Sequence, residues 1–125
     1  MMKKILIIDD DEQVQDSLKL QLNSEGYQVV SAESGSDGLS VAETENPELI
    51  VLDLSMPDID GVEVLRQLKG NIVTWDIPVV VFTAREDTKS RQQSALHGVL
   101  RFLRKPFSPK RLACEIERLL GDSGA

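Results

Sequence analysis

Short apolar runs alternate with amphipathic stretches along the whole chain, and turn or cap residues stand at each changeover. That rhythm marks repeated strand–helix units. Five strands are predicted, at Lys3–Ile8, Gln28–Ala32, Leu49–Leu52, Val79–Phe82 and Leu100–Leu103. They are rich in Val, Ile, Leu or Phe and mostly lack alternation, which predicts burial on both faces, as in a parallel sheet. Five helices are predicted at Glu12–Ser24, Gly35–Glu45, Gly61–Lys69, Thr88–Leu96 and Pro109–Leu120, with Leu18, Leu22 and Leu39 at core-facing spacings. Asp11 or Asp10, Ser34, Asp60 and the pair Ser108-Pro109 supply N-terminal caps, and Gly26, Gly70 and Gly121 stand where helices should stop.

Strands joined by helices cross over in right-handed fashion, so five units predict an α/β sandwich with helices on both faces of one sheet. Ligands of such sheets sit at the carboxyl ends of the strands. The first strand runs into Asp9-Asp10-Asp11, the third into Asp53, the fourth into Thr83-Ala84 and the fifth into Lys105-Pro106. All of these fall on one edge. Clustered carboxylates repel and raise one another's pKa values, an objection that a hard cation removes. Mg²⁺ takes oxygen ligands and usually only one or two protein carboxylates, a role that Asp10 and Asp53 fit. A phosphoryl oxygen could complete its coordination while Thr83 and Lys105 hold the others, which makes Asp53 the candidate nucleophile.

Bulk numbers narrow the picture further. A chain of 125 residues with 41% hydrophobic and 28% charged residues suits one globular domain with a single sizeable core. No apolar run approaches the roughly 20 residues of a membrane span, and Asp9-Asp10-Asp11 interrupts the basic start before a leader-like apolar region can form. A cytoplasmic location is the expectation. Cys114 is the single cysteine, so neither an internal disulfide nor a thiolate metal site can be assembled. The net charge of -7 disfavours nonspecific nucleic-acid binding.

Four stretches carry a resemblance: Ile7-Ile8-Asp9-Asp10-Asp11-Glu12, Leu52-Asp53-Leu54-Ser55-Met56-Pro57-Asp58-Ile59-Asp60-Gly61, Val81-Phe82-Thr83-Ala84 and Phe102-Leu103-Arg104-Lys105-Pro106-Phe107. In register from about Lys3 to Leu120, the chain resembles the receiver domains of two-component response regulators. The resemblance implies a flavodoxin-like five-stranded parallel sheet of order 2-1-3-4-5, with residues 1–121 as the receiver domain and 122–125 as a short tail. It implies that Asp53 accepts a phosphoryl group from a sensor histidine kinase or a phosphotransfer protein, and that Asp10, Asp53 and the Ser55 backbone carbonyl share Mg²⁺, with Asp9 assisting partly through water. Thr83 would then turn toward the phosphoryl oxygens, Phe102 would rotate into the space vacated, and Lys105 would pair with the phosphate. Such a protein is a phosphoacceptor that assists its own phosphorylation and dephosphorylation rather than an enzyme. Its output would pass through the fourth helix, fifth strand and fifth helix. The Lys105-Pro106 bond is expected to be cis, as is common in the family.

Where winged-helix members often carry acids used in a symmetric dimer, this chain reads Val99-Leu100-Arg101-Phe102, so a monomer or weak dimer is expected. Ser55 and Arg85 hold the positions that tune dephosphorylation in the family. A free-standing regulator and one separated from an output domain both stay open. A haloacid-dehalogenase-type phosphatase also uses a strand-end aspartate, but needs a second acid where Ser55 stands. A flavodoxin-like carrier needs a first loop that cradles phosphate, which Asp9-Asp10-Asp11 would repel. His97 reads as a helix C-terminal residue, Cys114 as a small core residue, Phe107 as core or helix-entry packing, and Trp75 as a loop residue at the end of the sheet opposite the site.

Overall fold

The computed structural model describes residues 2–84 and 88–121. Strands β1 (Lys4–Ile8), β2 (Gln28–Ala32), β3 (Leu49–Leu52), β4 (Val79–Thr83) and β5 (Arg101–Arg104) alternate with helices α1 (Glu12–Ser24), α2 (Gly35–Glu45), α3 (Gly61–Lys69), α4 (Thr88–Leu96) and α5 (Pro109–Leu120). The strands form one parallel sheet of order β2-β1-β3-β4-β5. This is the flavodoxin-like order expected.

Alternate residues of the central strands feed two apolar layers. On one face Leu6, Ile8, Ile50, Leu52, Val79 and Val81 pack with Ala42 of α2 and Val64, Leu65 and Leu68 of α3. On the other, Ile5, Ile7, Val51, Val80 and Phe82 pack with Leu18 and Leu22 of α1 and Leu112, Ala113 and Ile116 of α5. Burial on both faces holds for the central strands only. β2 and β5 are the sheet edges, each with one neighbouring strand, and most of their residues are partly or fully exposed.

Four strand ends differ from the sequence expectation by one residue, both ends of β5 among them, since it runs on to Arg104. Lys3 lends only its carbonyl to the Gln28 amide, and the first opposed pair is Lys4 with Gln28. β4 reaches Thr83 because Thr83 is opposed by Arg104. β5 begins at Arg101, since pairing with β4 sets its register, and Leu100 is left ahead of it with 48% of its surface exposed. The helix bounds agree with the caps that predicted them. Asp11, Ser34, Asp60 and Ser108 each accept a first-turn amide. Gly70 and Gly121 close α3 and α5, and Gly26 follows α1 with φ +95°. α2 ends at Asn46, a left-handed residue at φ 49° that sequence reading passed over.

Cys114 is exposed, not a core residue, because α5 turns Leu112, Ala113 and Ile116 inward and Cys114 falls between them on the outer face. Trp75 is 57% exposed in the loop before β4. Phe107 meets Phe82 edge-on at 6.2 Å, the packing expected of it. Among the described residues no helix is long and apolar enough to cross a membrane.

Candidate functional site

β1 and β3 are neighbours with Ile8 opposite Leu52, so the residues that follow them, Asp9 and Asp53, emerge side by side. Both are almost completely buried, at 2% and 5% exposure. The Asp53 amide donates to the Ile8 carbonyl (2.9 Å), extending the ladder past the strand end. Each carboxylate is then held by the turn behind it: the Asp11 amide donates to Asp9 Oδ1 at 2.9 Å, and the Ser55 amide to Asp53 Oδ1 at 3.1 Å.

Lys105 arrives from the far side. Its amide donates to the Thr83 carbonyl (2.9 Å), and the Lys105-Pro106 bond is cis as expected. Its Nζ lies 2.7 Å from Asp9 Oδ2 and 3.4 Å from Asp53 Oδ2, so one ammonium bridges both acids. Thr83 is fully buried at the end of β4. Asp10 is exposed, yet a carboxylate oxygen from each of Asp9, Asp10 and Asp53 falls within 4.8 Å of the others. Such a set of hard oxygen donors on one strand edge fits a divalent cation such as Mg²⁺.

The electrostatics follow from that crowding. Burial pushes the Asp9 carboxyl above its ordinary 3.8 and the Asp53 charge adds to it, while the Lys105 bond and the Asp11 amide pull the other way. Burial alone would lower the Lys105 ammonium, but the bond to Asp9 and the two carboxylate charges outweigh it and raise its pKa.

The three consecutive aspartates divide their labour. Asp11 caps α1 through the amides of Gln13 (2.9 Å) and Val14 (3.4 Å), which leaves Asp9 and Asp10 for the cluster. Phe102 sits one strand further out, half-buried against the core, with the Arg91 guanidinium 5.1 Å from its ring centroid. Arg85 lies outside the described residues. His97 is half-buried just past α4 and lines a groove with Asp60, Glu63 and Arg66 of the α3 side, away from the aspartates.

Two supporting residues escaped the sequence reading. Gln15 is buried under the β1–α1 turn, where its Nε2 donates to the carbonyls of Asp9 (2.9 Å), Ala32 (2.9 Å) and Ile7 (3.2 Å). The signal was an amide at an inward position of α1, in phase with Leu18 and Leu22. Asp58 ties the β3–α3 loop to the start of α2, accepting from the Gly35 amide (2.9 Å), the Ser36 amide (3.0 Å) and the Ser36 hydroxyl (2.8 Å). The amides of Ser36 and Gly35 hold its carboxyl well below the usual carboxylate range. At the other end of that loop Gly61 rides on Leu54: a Cβ there would fall on the Leu54 Cα and stand 2.9 Å from the Asp53 carbonyl oxygen.

A doubly wound parallel sheet whose strand ends gather buried carboxylates around one lysine defines a class of α/β domains with an acidic pocket at the strand ends. The model of the response regulator receiver domain matches residues 5–117, and the chain belongs to that family. It is 36% identical over 120 residues to the alkaline phosphatase synthesis transcriptional regulatory protein PhoP of Bacillus subtilis, covering 96% of this chain and 49% of that protein. It is 38% identical over 120 residues to the response regulator MprA of Mycobacterium tuberculosis, covering 96% and 51%. The chain thus spans about half the length of the curated relatives it matches. Among solved structures, a CheY-like response regulator receiver domain protein from Methanospirillum hungatei superposes with a TM-score of 0.91 at 30% identity, over 96% of this chain and 94% of that one. The receiver domain of a signal transduction histidine kinase from Syntrophus aciditrophicus gives 0.85 at 31% identity, over 97% and 96%.

Proposed function

We propose that Asp53 accepts a phosphoryl group from a phosphohistidine on a sensor kinase or phosphotransfer protein and that the chain passes the change to an output partner or domain. In this reaction an Asp53 carboxylate oxygen attacks phosphorus, the O–P bond forms, and the N–P bond breaks with its electron pair returning to the imidazole. Asp10 and Asp53, with the Ser55 backbone carbonyl and with Asp9 partly through water, would hold a Mg²⁺ ion, which supplies charge neutralisation around the transferred group. The oxygen-only donor set of Asp9, Asp10 and Asp53 supports that assignment.

Lys105 keeps Asp53 oriented before transfer and offers its ammonium to a phosphoryl oxygen afterwards. Thr83 brings a hydroxyl to the same group from the end of β4, and Phe102 follows it inward, changing the face formed by α4, β5 and α5. The observation that carries this reading is the shared ammonium, with Lys105 Nζ 2.7 Å from Asp9 and 3.4 Å from Asp53. Ser55 stands where a phosphatase of the alternative type needs its acid, and the match over residues 5–117 does not favour that enzyme or a flavin carrier.

The test is incubation with acetyl phosphate, with and without Mg²⁺, followed by intact mass. A Mg²⁺-dependent phosphoryl adduct is expected in the wild type and none in Asp53→Asn. An adduct that survives Asp53→Asn would overturn the assignment of the acceptor.

A further inference from the structure

Charge is segregated along this chain. Residues 1–84 carry 5 lysines and arginines against 16 acidic residues, whereas residues 85–125 carry 9 against 5. The basic segment is α4, β5 and α5, and β5 is an outer edge of the sheet.

Its arginines form a continuous band. Arg91 of α4 rests on the Phe102 ring at 5.1 Å. Arg101 of β5 reaches Glu115 of α5 at 3.2 Å, and Glu115 reaches Arg118 at 3.2 Å. One carboxylate thus serves two guanidinium groups, whose side chains stay 44% and 66% exposed. The segment's other acid, Glu117, lines a different groove with Glu25 and Tyr27 of the α1 side.

The band frames an apolar recess. A cleft of about 110 Å³ opens between α4 and β5, where Ser94, Val99, Leu100 and Phe102 lie between Arg91 and Arg101. Leu100 presents 48% of its surface to water. Ser94 is fully buried in the cleft wall, and among the described residues its hydroxyl oxygen has no hydrogen-bond partner. An apolar recess flanked by Arg91 and Arg101 has the make-up of an interface core and its rim.

We propose that this surface docks an acidic segment of a partner protein, which sets one aliphatic side chain in the cleft and carboxylates against Arg91, Arg101 and Arg118. The proposal rests on the output reading above and names the chemistry of the partner. Carboxylates complement a band that holds one acid for three arginines. A nucleic acid would match the charge but has nothing for Leu100 and the recess, since its affinity comes mainly from phosphates.

The probe is a short fluorescein-labelled peptide of Glu, Asp and Ala with a central Leu, followed by anisotropy at low and at physiological salt. Comparison ligands are the same peptide with Lys for every acid, the same with Gly for the Leu, and a DNA duplex. The acidic Leu peptide is expected to bind, to weaken with salt, and to lose about tenfold or more in affinity in Arg118→Glu. The Arg118 side chain is 66% exposed, so that variant is expected to keep its fold, checked by circular dichroism; Arg101→Glu is the second variant. Equal binding of the lysine peptide, the Gly peptide or the duplex overturns the proposal, as does indifference to both variants. Self-association that disappears in Arg118→Glu also overturns it, by making a second copy the occupant. Because the unphosphorylated protein is used, loss of the phosphoryl adduct with peptide binding intact counts only against the acceptor chemistry, and the reverse result only against the docking site.

Discussion

The strand-end cluster and the α4–β5 margin lie on the same sheet and are built in opposite ways. At the cluster both buried acids are tied down, Asp9 by the Asp11 amide and Lys105 and Asp53 by the Ser55 amide and Lys105, and the turn beneath is held by Gln15 Nε2, whose buried Oε1 has no partner among the described residues. At the margin a guanidinium rests on a ring, a hydroxyl is buried without a partner among the described residues, and a small cleft stands open. Chemistry at a carboxylate needs fixed geometry, whereas a surface that must change state needs contacts that are cheap to exchange. On the proposed reading, the difference teaches that one sheet can carry both demands when they are placed on different strands.

Substitutions test the contrast from its strongest side. Gly61→Ala places a Cβ against the Leu54 backbone, which cannot yield as a flexible side chain would. A loss of about 3 kcal/mol in urea unfolding is expected, together with a slower phosphoryl uptake. If the variant is as stable as wild type, the loop that follows Asp53 is not rigidly seated. Gln15→Ala takes the side-chain amide from the Asp9 carbonyl and leaves the Ala32 carbonyl with the Asp9 amide alone, and about 2 kcal/mol should be lost. An unchanged midpoint would mean that water replaces the side chain there.

Ser94→Ala at the margin should act in the other direction. Removing a buried hydroxyl that has no partner among the described residues is expected to stabilise by about 1 kcal/mol; a destabilised variant would show that the hydroxyl is bonded after all. The smallest effect is a slope. Because the folded pKa of Asp9 lies above 3.8, the native state holds this proton more tightly than the unfolded chain. Without Mg²⁺, its contribution is therefore most favourable below that value and is lost as pH rises through the folded pKa. Asp9→Asn should flatten the decline in stability as pH rises above 3.8 and blunt the response to Mg²⁺. A wild-type curve that climbs across the same window without the metal would remove the crowding of acids from the account.

What could be read ahead of the structure depended on how far each signal reaches along the chain. Ser34, Asp60 and Ser108-Pro109 act within one helical turn, so the bounds of α2, α3 and α5 were legible. Asp9, Asp53 and Lys105 were legible because each directly follows a strand, and parallel strands in a doubly wound sheet deliver such residues to a common edge. The start of β5 was not, since its register is fixed by β4 across the sheet rather than by the apolarity of Leu100. Gln15 bonds carbonyls 6, 8 and 17 residues away, and Asp58 bonds amides 22 and 23 residues away. Neither set of partners has a local pattern. Cys114 was misplaced for a related reason: a small thiol in an amphipathic helix carries no mark of which side it takes.

The sheet order turns the uneven charge into a matter of distance. β5 lies at one edge and β1 is three strands removed, a separation of roughly 14 Å at about 4.8 Å per strand. The ionic atmosphere at physiological salt has a thickness of about 8 Å. A molecule approaching the β5 edge is therefore largely screened from the exposed acids of the far, β2 side, and the net charge of -7 is not the field it meets first. Lowering the ionic strength joins the two fields and turns the domain into a single dipole. Its orientation during a diffusional encounter, and hence the rate of productive collisions, is set by the salt of the medium as much as by the surface itself.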